Sequence, residues 1–184
     1  MAPYLLTKTE KIPHATICGK VMLTLFWDQR GVILEHYVPR GNTVTSTTYA
    51  DLLKNLLRPA IKSKRRGLLS TDVLLQHDNA RLHTARSTVA TIQDLSFECL
   101  PHPPYSPDHG PSDSHVFGPL KEAMGGKSFR SDEELQQAVH EWLHCQQKTF
   151  FLEVSTHFRT LEHLYGTQWR LRRKMMTLCT LRVQ

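Results

Sequence analysis

The chain has 184 residues, enough for one domain with its own core and short of what two would need. Apolar residues at 40% and charged residues at 22% exclude a disordered chain, and a formal net charge of +6 makes a polyanion such as nucleic acid a plausible partner. No apolar run approaches the roughly eighteen residues of a transmembrane helix. The four cysteines, Cys18, Cys99, Cys145 and Cys179, form neither a CxxC pair nor a compact disulfide framework, so reduced thiols are the simplest reading. Eleven histidines form no zinc-finger-type Cys/His cluster, and a structural zinc site is not expected.

Residues 1–18 read as an irregular segment broken by Pro3 and Pro13; MAPYLLTKTEK carries Glu10 and no sustained apolar core, so no signal peptide is expected. KVMLTLFWDQRGVILEHYVPRG then predicts a β-hairpin, with alternating Val21, Leu23 and Leu25, a turn at Asp28–Gly31, and a return strand from Val32 to Val38. Ser46 to Arg66 reads as a helix whose apolar face is Tyr49, Leu52, Leu53, Leu56 and Leu57, kinked or ended by Pro59. Lys62, Lys64, Arg65 and Arg66 close it before Gly67, where the helix dipole favours cations; a solvated helix end explains them more simply than DNA contact.

Thr71 to Gln76 is a short apolar run suited to a strand buried on both faces, as in a parallel sheet. A helix is expected over Thr84–Leu95, a strand over Ser96–Leu100, and then the proline-rich loop HPPYSPDHGPSDSH. Ser112 is placed to cap a helix from Asp113 to about Met124, stopped by Gly125-Gly126, and Ser131 to Glu134 reads as a capping box. Behind it Leu135, Ala138, Val139, Trp142 and Leu143 make one apolar face. The order of elements predicts an α/β fold with a mixed sheet flanked by helices.

Functional groups of α/β sheets gather at the carboxyl ends of strands, which is where Asp78 falls in HDNARLH (77–83). Asp113 opens a helix after the neighbouring strand. Two such carboxylates can converge on Mg²⁺ or Mn²⁺, although a two-metal site generally draws on a third. Residue type and spacing alone leave this open against two plainer readings, a turn aspartate and a helix N-terminal aspartate. His77 and His83 read more simply as satisfied polar residues than as ligands.

HDNARLH together with HPPYSPDHGPSDSHVF (102–117) resembles the paired signature of mariner-type transposases, and thirty-four positions separate Asp78 from Asp113, as in that family. GKVMLTLFWDQRGVI (19–33), KSKRRG (62–67) and GKSFRSDEELQQAVHEWL (126–143) resemble the family's corresponding stretches, so the likeness covers roughly residues 19–153. It implies a ribonuclease H-like fold and an ancestral activity of DNA cleavage and strand transfer. Three aspartates there hold two Mg²⁺ (or Mn²⁺) ions, with Asp78 as the second and Asp113 as the third. DNA, a second copy of the chain or a fuller transposase are the implied partners, no membrane is involved, and the nucleus is the implied compartment.

The departures from the family shape the expectation. Its first aspartate lies on the first, central strand, roughly ninety residues before the second, and counting back from Asp78 runs past Met1. Asp28 matches the hairpin turn instead, and Glu10 lies in no strand pattern. A sheet lacking its first (central) strand and a broken metal site are therefore expected. Residues 4–17 would fill the slot, the flanking strands would close up, or the domain would be marginal alone. The family's N-terminal helix-turn-helix modules are not seen either, so sequence-specific DNA recognition is expected to be lost.

Within the motifs Leu82 replaces proline, His109-Gly110 replace Leu-Ala, and Ser114 replaces tyrosine. Residues 154–184 read as a divergent basic tail, whose Arg170, Arg172, Arg173, Lys174 and Arg182 could make non-specific phosphate contacts. The expectation is a transposase-derived catalytic domain inactive alone. The alternative is a non-enzymatic basic DNA-binding or protein-interaction module.

Overall fold

The computed structural model describes residues 21–70, 73–99, 112–164 and 174–183, without the side chains of 112–114, 157–164 and 174–183. The irregular segment expected at 1–18, the proposed slot-filler at 4–17 and the proline-rich loop lie outside the described residues.

Strand β1 (Val21–Asp28) alternates as its sequence predicts. Val21, Leu23, Leu25 and Trp27 enter one core and Phe26 enters another on the opposite face, because successive side chains of a strand point to opposite sides. It pairs antiparallel with β2 (Gly31–Val38), and a bulge at Phe26/Trp27 leaves Ile33 as the extra residue on β2. Gly31 stands at φ +111, which a residue with a Cβ rarely adopts, so the turn position favours glycine.

Helix α1 (Ser46–Leu52) starts at a reciprocal capping box between Thr45 and Thr48. Pro59 neither ends the helix nor bends it alone. A π-helical turn (Leu53–Leu57) precedes it, the Arg58 N–H bonds to the Leu53 carbonyl, and α2 (Arg58–Lys64) continues beyond. Proline has no N–H for the carbonyl four residues back and crowds it, and a wider turn relieves both. The extra residue also rotates the apolar face: Tyr49, Leu52, Leu53 and Leu57 are buried as expected, whereas Leu56 is exposed. The same device recurs where the π-helical Ser112–Phe117 leads into α5 (Gly118–Met124), with Pro119 in the first turn. Ser112 thus belongs to the helical segment and does not stand outside it as the expected cap.

Strand β3 (Val73–Gln76) is followed by α3 (Arg81–Thr84) and α4 (Arg86–Asp94), separated at Ala85, whose backbone is extended. One helix was expected from Thr84; instead helix begins at Arg81 and breaks once. Strand β4 (Phe97–Cys99) pairs parallel with β3. Helix α6 (Asp132–Cys145) is capped by Ser131, whose side chain accepts the Glu134 N–H, while the Glu134 carboxylate accepts the Arg130 N–H at 2.6 Å. Its inner face is Leu135, Val139 and Leu143. Helix α7 (Lys148–Leu164) runs across residue 154, where the basic tail was placed.

The last strand, β5 (Lys174–Val183), enters the middle of the sheet, giving the order β2-β1-β5-β3-β4. It lies antiparallel to β1, from Val21↔Val183 to Trp27↔Thr177, and parallel to β3, from Val73↔Lys174 to Gln76↔Thr177. The expectation that β1 and β3 might close up is corrected, since β5 separates them. The reason is backbone pairing: both strands present rows of N–H and C=O groups, and a buried unpaired group costs of order 1–3 kcal/mol. MMTLCTLRV, largely apolar with two threonines and a valine, suits a strand that satisfies both rows. Helices cover both faces. One core gathers α1, the π turn, α2 and α4 against Phe26, Ile33, Val73 and Leu75, and the other gathers α5, α6 and α7 against Leu23, Leu25 and Trp27.

Candidate active site

Beyond Gln76, His77-Asp78-Asn79-Ala80 leads from the carboxyl end of β3 to α3, next to the central strand. The Asp78 carboxylate accepts the Ala80 N–H at 3.0 Å, closing a turn two residues long, and meets His83 Nδ1 at 2.6 Å. Both contacts fall on Oδ1. His83 is only 5% exposed and Asp78 is 66% exposed, so a buried imidazole holds a carboxylate that faces water. The His83 ring is wedged between Tyr49 and His77, at centroid distances of 4.6 and 4.7 Å. With Nδ1–H given to Asp78, the ring's other nitrogen, Nε2, is a buried atom without a hydrogen-bond partner in the structure.

The hydrogen bond from His83 is the main reason the Asp78 carboxyl is pulled down to about 2. Partial burial opposes it; the Ala80 N–H and the charges of His83 and His77 add to it. His77 Nε2 lies 2.7 Å from Cys99 Sγ at the end of β4, and burial pushes the Cys99 thiol up. The Tyr49 hydroxyl is raised well above its ordinary range by burial and by the neighbouring Cys99 and Asp78 charges, so it stays protonated at neutral pH.

Asp113 is the second residue of the π-helical segment Ser112–Phe117, and its side chain lies outside the described residues. Of the basic residues singled out in the sequence, Arg170, Arg172 and Arg173 lie outside the described residues, and Lys174 opens β5. Asp28 is elsewhere and fully committed: at 3% exposure it accepts Nε and Nη2 of Arg65 at 2.8 and 2.9 Å, and the Arg30 N–H at 2.8 Å. Arg65 also donates to the Gly31 carbonyl at 3.1 Å, so it locks the hairpin turn. It is thereby a structural residue more than the solvated helix end expected. Around it an open basic cleft is lined by Lys54, Arg58, Lys62 and Ser70.

The donor chemistry at Asp78 suits a hard cation. An ionised, mostly exposed carboxylate with oxygen donors is what Mg²⁺ takes from a protein when it keeps several of its waters. His83 is the residue the sequence undervalued; its signal is the second histidine of HDNARLH, five positions on, within reach across the turn.

A central mixed sheet with helices on both faces and an aspartate at the end of an inner strand is the arrangement expected of a ribonuclease H-like domain. A family model described as a transposase with a partial DDE domain matches residues 7–71. The chain is 39% identical over 134 residues to the mariner Mos1 transposase of Drosophila mauritiana, covering 72% of this chain and 39% of that protein. It is 34% identical over 132 residues to the human histone-lysine N-methyltransferase SETMAR, covering 72% of this chain and 19% of that protein. It therefore spans about two fifths and one fifth of the length of these relatives.

The crystal structure of the Mos1 catalytic domain superposes with a TM-score of 0.72 at 34% identity, covering 76% of this chain and 69% of that one. The same domain solved with Mg matches at 0.71 and 32% identity, covering 82% and 77%. A Mos1 paired-end complex with the left transposon end matches at 0.72 and 33% identity, covering 87% and 46%. The chain belongs to the mariner-type transposases and is a homologue of their catalytic domain.

Proposed function

We propose that the chain is a transposase-derived catalytic domain that keeps the Asp78 corner of a divalent-metal site but does not cleave or join DNA on its own. One observation carries this reading. The strand beside β3 in the centre of the sheet is β5, and its sequence KMMTLCTLRV contains no carboxylate. In the family that position belongs to the strand bearing the first aspartate. A two-metal site needs carboxylates that bridge and flank ions roughly 3.5–4 Å apart, so a central strand without one leaves it short of oxygen ligands.

Asp78 and Asp113 would hold Mg²⁺ or Mn²⁺, the ions present in solved structures of the Mos1 catalytic domain. When bound, such an ion supplies Lewis-acid activation of an attacking oxygen. The protein's own part is to keep Asp78 ionised and aimed, through His83 and the Ala80 N–H.

DNA is the partner proposed, by analogy with the Mos1 paired-end complexes. The phosphate contacts would come from Arg170, Arg172, Arg173 and Lys174 and from the cleft of Lys54, Arg58 and Lys62, giving binding without sequence preference. Pairing with a second copy or a fuller transposase, in the nucleus, completes the reading. The test is incubation of the chain with transposon-end duplexes in Mg²⁺ and in Mn²⁺. No cleavage is expected, and cleavage that disappears in Asp78→Asn would overturn the proposal.

A second reading, a basic binding module without catalysis, rests on the same cleft. Charge reversal at Arg58 and Lys62 should then weaken duplex binding and flatten its salt dependence. Unchanged binding would remove that reading.

A further inference from the structure

Far from Asp78, helix α6 and the edge strand β2 bring three metal-ligating side chains together. His140 and His144 are one helical turn apart, with ring centroids at 4.2 Å. Glu35, from β2, faces both: its Oε1 lies 3.2 Å from His140 Nδ1 and 3.0 Å from His144 Nε2. One ligand atom from each residue lies within 4.8 Å of the other two. We propose that Glu35, His140 and His144 form a binding site for a transition-metal ion of the zinc(II) class, joining β2 to α6.

The spacing fits the chemistry. Zinc bonds of about 2.0–2.1 Å in a tetrahedron place neighbouring donors about 3.3 Å apart, close to both carboxylate–imidazole distances. Two imidazoles and one carboxylate are a borderline-soft donor set, suited to zinc or cobalt and poorly to magnesium. Glu35 is 10% exposed and held, whereas His140 and His144 are 53% and 44% exposed, so the fourth position opens to water.

The Tyr37 hydroxyl lies 3.3 Å from Glu35 Oε2 and 3.3 Å from the Gln136 carbonyl, which orients the carboxylate from behind in the manner of an outer-shell partner. Both tilted imidazoles approach Oε1, and His140 Nδ1 also lies 3.3 Å from Oε2, so a cation placed among the three would engage all of them at once. The ion would also reinforce the ion pair of Arg40 with Asp132, which joins the end of β2 to the start of the same helix.

This site is separate from Asp78. Strands β1 and β5 stand between β2 and β3, a displacement of about 14 Å at ordinary strand spacing. The two histidines stand in HEWLH (140–144) on one helix, and the third donor lies 105 residues earlier, so the helix sequence alone does not show the complete set.

The experiment is titration of the chelator-treated chain with Co²⁺, followed by Zn²⁺. The expected result is the visible absorption of four-coordinate Co²⁺ at one equivalent, bleached by Zn²⁺. His140→Ala, His144→Ala and Glu35→Gln, each folded by circular dichroism, should weaken Co²⁺ binding by more than about 100-fold, and Tyr37→Phe by about 10-fold. Asp78→Asn should bind as the parent does. Three results would overturn the proposal: no visible band, binding retained in the His140→Ala/His144→Ala double variant, or a thiolate-to-cobalt charge-transfer band placing the ion on a cysteine.

Discussion

Arg65 grips Asp28 with two guanidinium nitrogens, Nε on Oδ2 at 2.8 Å and Nη2 on Oδ1 at 2.9 Å, and both side chains are almost wholly buried. The pair ties the end of α2 to the β1–β2 turn. Removing one partner strands the other charge away from water, so Arg65→Ala should destabilise the domain by about 3–5 kcal/mol. Denaturant unfolding measures this; a loss below about 1 kcal/mol would mean the turn does not depend on the pair.

His83 should control the acidity of Asp78. The carboxyl stands at about 2 chiefly because His83 donates to it. In His83→Ala its titration midpoint should climb toward the ordinary carboxylate value near 3.9. Carboxyl-carbon NMR reads the shift directly, and an unchanged midpoint would assign the depression to the Ala80 N–H instead.

The same depression has a pH signature. Asp78 is more acidic folded than unfolded, so its ionisation favours the folded state above its unfolded value near 3.9. That contribution fades as pH falls from there toward 2. Asp78→Asn should therefore be less stable than the parent at pH 7 and converge with it on acidification. Because the carboxylate is two-thirds exposed and screened, the gap at pH 7 should be no more than about 1 kcal/mol. Urea midpoints between pH 7 and pH 3 measure it; a gap that widens on acidification contradicts the assignment.

Thr177 is level with Trp27 on one side and Gln76 on the other. Thr177→Pro should therefore break pairing in the middle of the sheet and abolish cooperative unfolding, since proline removes a ladder donor where no edge is available. A cooperative transition near the parent's would show that β5 is dispensable. Deletion of the basic segment is a poor probe of DNA binding for the same reason, because it removes a central strand together with the charge.

Much of the frame was readable from local pattern. The alternation of Val21, Leu23, Leu25 and Trp27, the turn at Asp28–Gly31 and the inner face of α6 all follow from side-chain period, and they stand where period puts them. What pattern could not supply were partners distant in sequence. Nothing in MMTLCTLRV names β1 and β3 as its neighbours, so it read as a tail. The π turn before Pro59 was hidden because one extra residue leaves most of the apolar face intact and shows only in the exposure of Leu56. At the candidate active site Asp78 was legible from its place behind an apolar strand. The use of His83 needed the turn geometry that folds it back, and Tyr49, which packs on it, comes from a helix thirty-four residues earlier.

Val21 finds its partner at Val183. During synthesis the hairpin is therefore complete long before the strand that seals its inner side exists, and β3 waits in the same way. Contacts so distant in sequence slow folding, and until they form two apolar strands stand open to any other chain that offers an edge. Successful folding should depend on chaperone capacity and expression rate more than the finished domain's packing would suggest.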